Sequence, residues 1–392
     1  MAIPKLALIP SGYKAGKLYS VLPTNGDGDF TTTRNTVATR VNENGLIEEV
    51  GVNVPRLDYS DGGCPSLLLE PSATNLVTYS EDFSQWATNG TITPNSAISP
   101  DGTQNATLFS HSGGSFPQVI ISGITFVSGA NYIPSLYVKS DGTSQVQHSL
   151  LVDNVVVNFT PTDKWVRISD LIVSTATSGS FIIAQNSASS VPASFYIYGA
   201  QLEEQSYATS YIKTVGTIQS RSADTANGAG NASTFNSSEG VLMYQIKPIG
   251  SDGIHKRITL SDSTSTNRII MGFDNNNNVT AAVFNGSNQA VLGGNYIGKD
   301  EMSKYALKYK ASDFALWLNG FEVDSETSGG VTYPIGTLNQ FRFEDGNGGL
   351  DFYGSAKQIQ YFDSALNDSD LEKLTSWTSF TAMANGQSYT II

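Results

Sequence analysis

Apolar and polar residues alternate with a period of two in short runs along most of the chain, and turn residues interrupt the runs at intervals of roughly ten positions. Alternate side chains of a strand point to opposite faces, so this pattern predicts strands that bury one face and wet the other. The first series of runs falls at 116–121, 132–138, 155–159, 165–168, 181–183 and 194–203. A second falls at 240–246, 257–260, 267–273, 279–284, 305–309, 314–320, 340–343 and 354–362. Only one segment reads as a helix. After the last run, Asn367 is placed as an N-cap, Asp368 and Asp370 complement the helix dipole in the first turn, and Leu366 and Leu371 form a hydrophobic staple.

The predicted fold class is all-β: an N-terminal arm, two β-sandwich domains of jelly-roll type, and one short C-terminal helix. The arm is expected over 1–75, where large apolar residues are sparse and Asn25-Gly26, Asn44-Gly45 and Asp61-Gly62 mark turns. Asn44-Gly45 is read as a two-residue hairpin turn between Thr39-Arg40-Val41 and Leu46-Ile47. The sandwiches are expected over 76–214 and 240–392, joined by a small-residue linker over 215–239. Trp165 and Trp317, inside apolar runs, are assigned to the cores.

Composition narrows the function classes. The 392 residues carry 22 Lys+Arg against 35 Asp+Glu, a net charge of −13 with no basic run, which argues against a nucleic-acid groove. No window approaches the roughly 18 consecutive apolar residues of a membrane span, so no membrane insertion is expected. The N-terminal apolar stretch is broken by Pro4 and Pro10 and does not read as a signal peptide. Cys64 is the single cysteine and is expected to be a small buried apolar residue rather than a nucleophile.

Three stretches carry resemblances to known families. Ala38 to Glu49, Asn53 to Tyr59 and Cys64 to Asn75 together resemble a block found near the N-terminus of many bacteriophage virion proteins, the fibre, tail and head-decoration polypeptides. Thr78 to Trp86, Tyr132 to Lys139, Trp165-Val166-Arg167 and Tyr198 to Thr214 resemble carbohydrate-binding jelly rolls of phage and bacterial surface proteins. Ser312 to Asp324, with the end of the chain, resembles concanavalin A-like, laminin G-type sandwiches. The resemblance implies a virion location, attachment to other phage virion proteins, a homo-oligomer of trimer type, and host cell-surface glycans as ligands. It implies Arg40, Asn53, Arg56, Asp58 and Glu70 as attachment residues. Alternatives are a decoration protein that stabilises the particle without binding glycans, and a glycan-degrading tailspike.

Catalytic grammar is absent. His111, His148 and His255 are scattered, and the acidic pairs are sequence neighbours, which in a strand face opposite ways. The expectation is therefore a protein that is not an enzyme. Aromatic rings that can lie on the C–H face of a pyranose are the glycan-binding candidates: Trp86, Tyr137, Tyr196 and Tyr198 in the middle module, and Tyr296, Tyr333 and Tyr353 in the last. Oxygen-rich loops nominate Asp274, Asp345 and Asp351 as ligands for calcium, with no other cofactor expected.

Overall fold

The computed structural model describes residues 2–377 and 381–382, apart from 144–145, 154, 186–189, 295–300 and 332. The protein is nearly all β, with a single short α-helix among the described residues, near the C-terminus. Its chain divides into two compact units, and it passes between them more than once. One unit comprises 1–36, 50–71 and 223–392; the other comprises 37–49 and 72–222.

The first unit has an eight-stranded and a nine-stranded antiparallel sheet. Alternation sends Leu242, Tyr244, Tyr305, Leu307, Ile359 and Tyr361 from one sheet, and Ile258, Leu260, Ile269, Met271 and Phe341 from the other, into a shared core. Burying each such side chain contributes about 1.5 to 3 kcal/mol. The second unit packs a five-stranded sheet against a six-stranded one, with Val119, Leu150, Phe181 and Ile183 meeting Phe109, Leu136, Val138, Phe195 and Ile197.

The N-terminal stretch does not stand apart as an arm. Leu6–Leu8 and Ser66–Leu69 both pair with Gly354–Phe362, and Phe30–Thr33 pairs with Thr225–Ala229. Large apolar residues of this stretch, among them Leu6, Leu8, Leu18, Phe30, Leu57, Leu67 and Leu69, are buried in the first unit's core. The predicted linker is likewise structured. It supplies the strands Gln219–Arg221 and Thr225–Ala229, and Ala226 and Ala229 are fully buried in the first unit's core.

The 38–50 hairpin forms with a longer turn than predicted. Asn42 N–H donates to the Leu46 carbonyl and Gly45 N–H to the Asn42 carbonyl, so Glu43, Asn44 and Gly45 make a three-residue loop with Gly45 at φ 75°. The Asn42 side chain accepts from the N–H groups of Asn44 and Leu46, which stabilises the longer loop. The helix, Asp368–Thr375, matches its prediction: the Asn367 side chain accepts from Asp370 N–H at 2.9 Å, and Leu366 and Leu371 are both buried. Cys64 is exposed, at the end of a turn in which Gly62 and Gly63 both have positive φ and which turns away from the core.

Candidate functional site

The six-stranded sheet of the second unit gathers aromatic residues on its outer face. In Asn131–Ser140 and Ala193–Glu203, Leu136, Val138, Phe195 and Ile197 point inward, which turns Tyr137, Lys139, Tyr196 and Tyr198 outward. Lys139 is directly opposite Tyr196, and Tyr137 is opposite Tyr198 on one side and Arg167 on the other. Trp165 precedes Val166, the partner of Val138, so it reaches the same face beside Lys139. A register shift keeps this arrangement in phase. Gly199 at φ 64° is the extra residue, which leaves Ala200 and Leu202 pointing inward after Tyr198 has pointed outward.

At one end of the face, over Tyr198, is a polar network. Tyr198 donates to Glu81 Oε1 at 3.1 Å and Asp101 Oδ2 at 3.0 Å, Tyr211 donates to Glu81 Oε1 at 3.0 Å, and Lys213 pairs with Glu81 Oε2 at 2.7 Å. Burial, reinforced by Glu81 and Asp101, pushes the Tyr198 hydroxyl well above its ordinary value, so it stays a donor. Arg167 donates to the Thr209 carbonyl at 2.6 Å and Ser135 Oγ at 2.8 Å, and its guanidinium lies 5.5 Å from the Tyr137 ring centre. Trp165 donates to the Ile98 carbonyl at 3.0 Å and packs against the buried cluster of Ile47, Tyr198 and Tyr211. These bonds fix the rings. Tyr137, Tyr196 and Trp165 remain half-buried, each with part of its ring surface open, and the hydroxyls of Tyr137 and Tyr196 bond to no described residue.

The other predicted glycan-binding residues are elsewhere. Tyr198 is covered, at 2% exposure. Trp86 is a core residue, edge-on to Phe181 at 5.7 Å, with its indole N–H donating to the Tyr79 carbonyl at 2.9 Å. Tyr333 is buried in the first unit and donates to the Phe284 carbonyl, while Tyr353 is half-buried against the same core. Tyr296 is outside the described residues. Trp317 is in a core, as expected, but Trp165 is on the outer face, because its run enters an edge strand with only one side packed.

The predicted attachment residues are mostly internal. Arg56 and Glu70 are buried and pair at 2.6 Å; Arg56 also meets Asp224, which Arg34 joins at 2.9 Å. Asp58 is buried and accepts from Ser60 N–H at 2.9 Å, and Asn53 Oδ1 accepts from Arg34 N–H at 2.9 Å. Arg40 pairs with Glu48 across its hairpin at 2.6 Å. The charges in this stretch bind its strands together instead of facing outward.

Asp274, Asp345 and Asp351 organise loops. Asp274 accepts from the N–H groups of Asn276 and Asn278, both at 2.8 Å, and Asp345 from that of Asn347 at 3.2 Å. Burial pushes the Asp351 carboxyl up, with Glu344 and Asp345 adding to the effect. Among the described residues, no group of three or more His, Cys, Asp or Glu is placed to hold a metal ion. Two histidines that the sequence keeps 37 positions apart do meet: His111 Nε2 is 3.2 Å from His148 Nε2. No spacing rule within one sequence announces a pair brought together from different sheets.

No protein-family model matches the chain, and neither does any curated protein. Among solved structures, the CBM40 carbohydrate-binding module of Ruminococcus gnavus IT-sialidase matches at TM-score 0.32 and 17% identity, covering 38% of this chain and 88% of that one. The leech intramolecular trans-sialidase matches at TM-score 0.32 and 18% identity over 37% of this chain and 24% of that one. A heptameric SAP-like pentraxin from Limulus polyphemus matches at TM-score 0.29 and 13% identity, over 36% and 71% of the two chains.

Proposed function

We propose that the chain is a non-catalytic glycan-binding protein whose binding face is the outer surface of the six-stranded sheet. One observation carries this reading: Tyr137, Tyr196 and Trp165 share that face, half-open, around Lys139 and Arg167. A pyranose presents a patch of C–H groups that a fixed aromatic ring covers without losing rotational freedom. The two open tyrosine hydroxyls and the lysine supply the polar contacts that orient the sugar. Single-site affinity on so shallow a face is weak. Repetition in an oligomer would raise it through effective concentration.

The finer reading is a structural subunit of a bacteriophage particle, a fibre, head fibre or tail-associated protein that displays this face to host glycans, most naturally as a trimer. It is supported by the resemblance of residues 31–80 to virion proteins. A second reading, decoration of the particle without glycan binding, has one observation in its favour. On the outer face of the five-stranded sheet, Ile120, Ile182, Leu151 and Val156 are partners across four strands and form an apolar row.

A glycan array probed with the full chain separates these readings. Binding that disappears in Tyr196→Ala supports the proposed face, whereas silence across host polysaccharides favours decoration. Immunogold labelling of intact particles tests the virion role, and particles that carry no label would reject it.

A further inference from the structure

Lys139 is set among the open rings of the candidate face, directly opposite Tyr196 and beside Trp165, and it is itself half-buried. Its charge is not used internally. Among the described residues, no carboxylate oxygen comes within 4.0 Å of its ammonium group, and it makes no hydrogen bond to any of them. The other cation of the face differs, since Arg167 is held by the Thr209 carbonyl and the Ser135 hydroxyl.

Several acidic groups nearby are engaged elsewhere. Two positions further along, the Asp141 carboxylate accepts from Thr143 N–H at 2.9 Å, Thr143 Oγ1 at 2.7 Å and the Ser194 hydroxyl. Glu203 is buried and holds Thr209, and Glu81 is paired with Lys213. In a chain of net charge −13, an unpaired cation held part-way out of water between aromatic rings is unusual. Partial burial costs a lysine some of its hydration, and an external anion would restore that loss.

We propose that this face selects carboxylated sugars of the uronic acid class, with Lys139 as the anchor for the carboxylate and Tyr196 and Trp165 as the surfaces that take the ring. This rests on the glycan-binding reading above and adds a substrate class to it. A ring lying on Tyr196 projects its equatorial carboxylate sideways in the ring plane, toward the neighbouring strand position that Lys139 occupies. One compact ammonium matches one monovalent carboxylate, and the tyrosine hydroxyls remain for the sugar's own hydroxyls.

The test is calorimetric titration of the full chain with oligogalacturonate, with the same oligosaccharide after carboxyl reduction, and with dextran sulfate. The wild type is expected to prefer the uronate over its reduced form by roughly ten-fold, and the preference should fade as salt shortens the screening length to about 3 Å. Lys139→Gln should abolish the preference, so that uronate and reduced sugar bind with the same weak affinity, and Tyr196→Ala should weaken both. Equal affinity for acidic and reduced forms, or a preference that survives in Lys139→Gln, overturns the proposal and leaves glycan binding intact. Tighter binding to dextran sulfate than to the uronate also overturns the carboxylate assignment. Failure to bind either oligosaccharide overturns the uronate proposal, whereas the glycan-binding reading falls only if the glycan array is silent as well.

Discussion

His148 accepts a hydrogen bond from His111 through their Nε2 atoms, 3.2 Å apart, and the outer partners of the pair fix the direction of that bond. Gly113 N–H approaches His111 Nδ1 at 3.3 Å, so that nitrogen is an acceptor and Nε2 carries the proton. The Val146 carbonyl is 2.8 Å from His148 Nδ1, so that nitrogen donates and its Nε2 is bare. Both rings are therefore neutral, enclosed by Phe109, Phe159 and Phe195, and a second proton on either would have no acceptor.

Acid should loosen the second unit through this pair. Burial, with the like charge of His111 adding to it, lowers His148 to about 4 from an ordinary value of 6.5. Because the folded value is depressed, the unfolded chain binds more protons in the interval between them. Stability is then complete above pH 6.5 and falls as the pH drops toward 4, by up to about 3 kcal/mol. Urea unfolding at pH 7 and at pH 4.5 measures this, and His148→Phe should flatten the difference. Equal midpoints at both pH values in the wild type would contradict the neutral pairing.

Asp224 should be among the most sensitive positions of the first unit. It accepts from both Arg34 and Arg56, and Arg56 also holds Glu70, with all four side chains buried. Asp224→Ala leaves two buried guanidinium groups short of a counter-charge and should cost about 3 to 5 kcal/mol in chemical denaturation. A loss below about 1 kcal/mol would mean that water reaches the cluster.

Gly199→Ala should damage stability. The backbone at φ 64° disfavours any side chain, and an added methyl would be 3.3 Å from both Tyr137 and Tyr211. The strain costs about 1 to 2 kcal/mol, and relief requires the Tyr137 or the Tyr211 ring to shift. Thermal stability should fall, and glycan affinity should fall where the Tyr137 ring is the one that moves; an unchanged unfolding temperature would contradict the tight packing at Gly199.

Removing residues 1–36 should unfold the first unit rather than release an appendage. The strand Gly354–Phe362 would lose its pairing with Leu6–Leu8, and Thr225–Ala229 would lose Phe30–Thr33. Limited proteolysis of the shortened chain should show rapid loss of the 223–392 region, whereas a resistant fragment would restore the arm expected from the sequence.

These outcomes mark how far the sequence was legible. The period-two pattern and the 367–371 capping signals identified the class and the helix, because both depend on neighbours within one element. The role of the first 75 residues was not legible, since Leu6 and Leu67 pair with strand residues, and Phe30 packs on Phe341, more than 190 positions away. Small residues misled for the same reason: Ala226 and Ala229 read as linker but fill a packed sheet face. Alternation correctly placed Tyr137 and Tyr196 on strands. It could not separate them from Tyr198, which also points outward but is covered by Tyr211 and the 38–50 hairpin. The meeting of His111 with His148 depends on the packing of two sheets, which no local pattern encodes.

The central claim is that the open face around Tyr196 binds sugar, and the most direct measurement is titration of an array-identified oligosaccharide into the wild type and into a Tyr137→Ala, Tyr196→Ala double variant. Losing two stacking surfaces should weaken binding at least ten-fold, at about 1 kcal/mol or slightly more for each ring, while the urea midpoint of the second unit shifts little. Undiminished affinity in a folded double variant would contradict the account and place recognition elsewhere on the molecule.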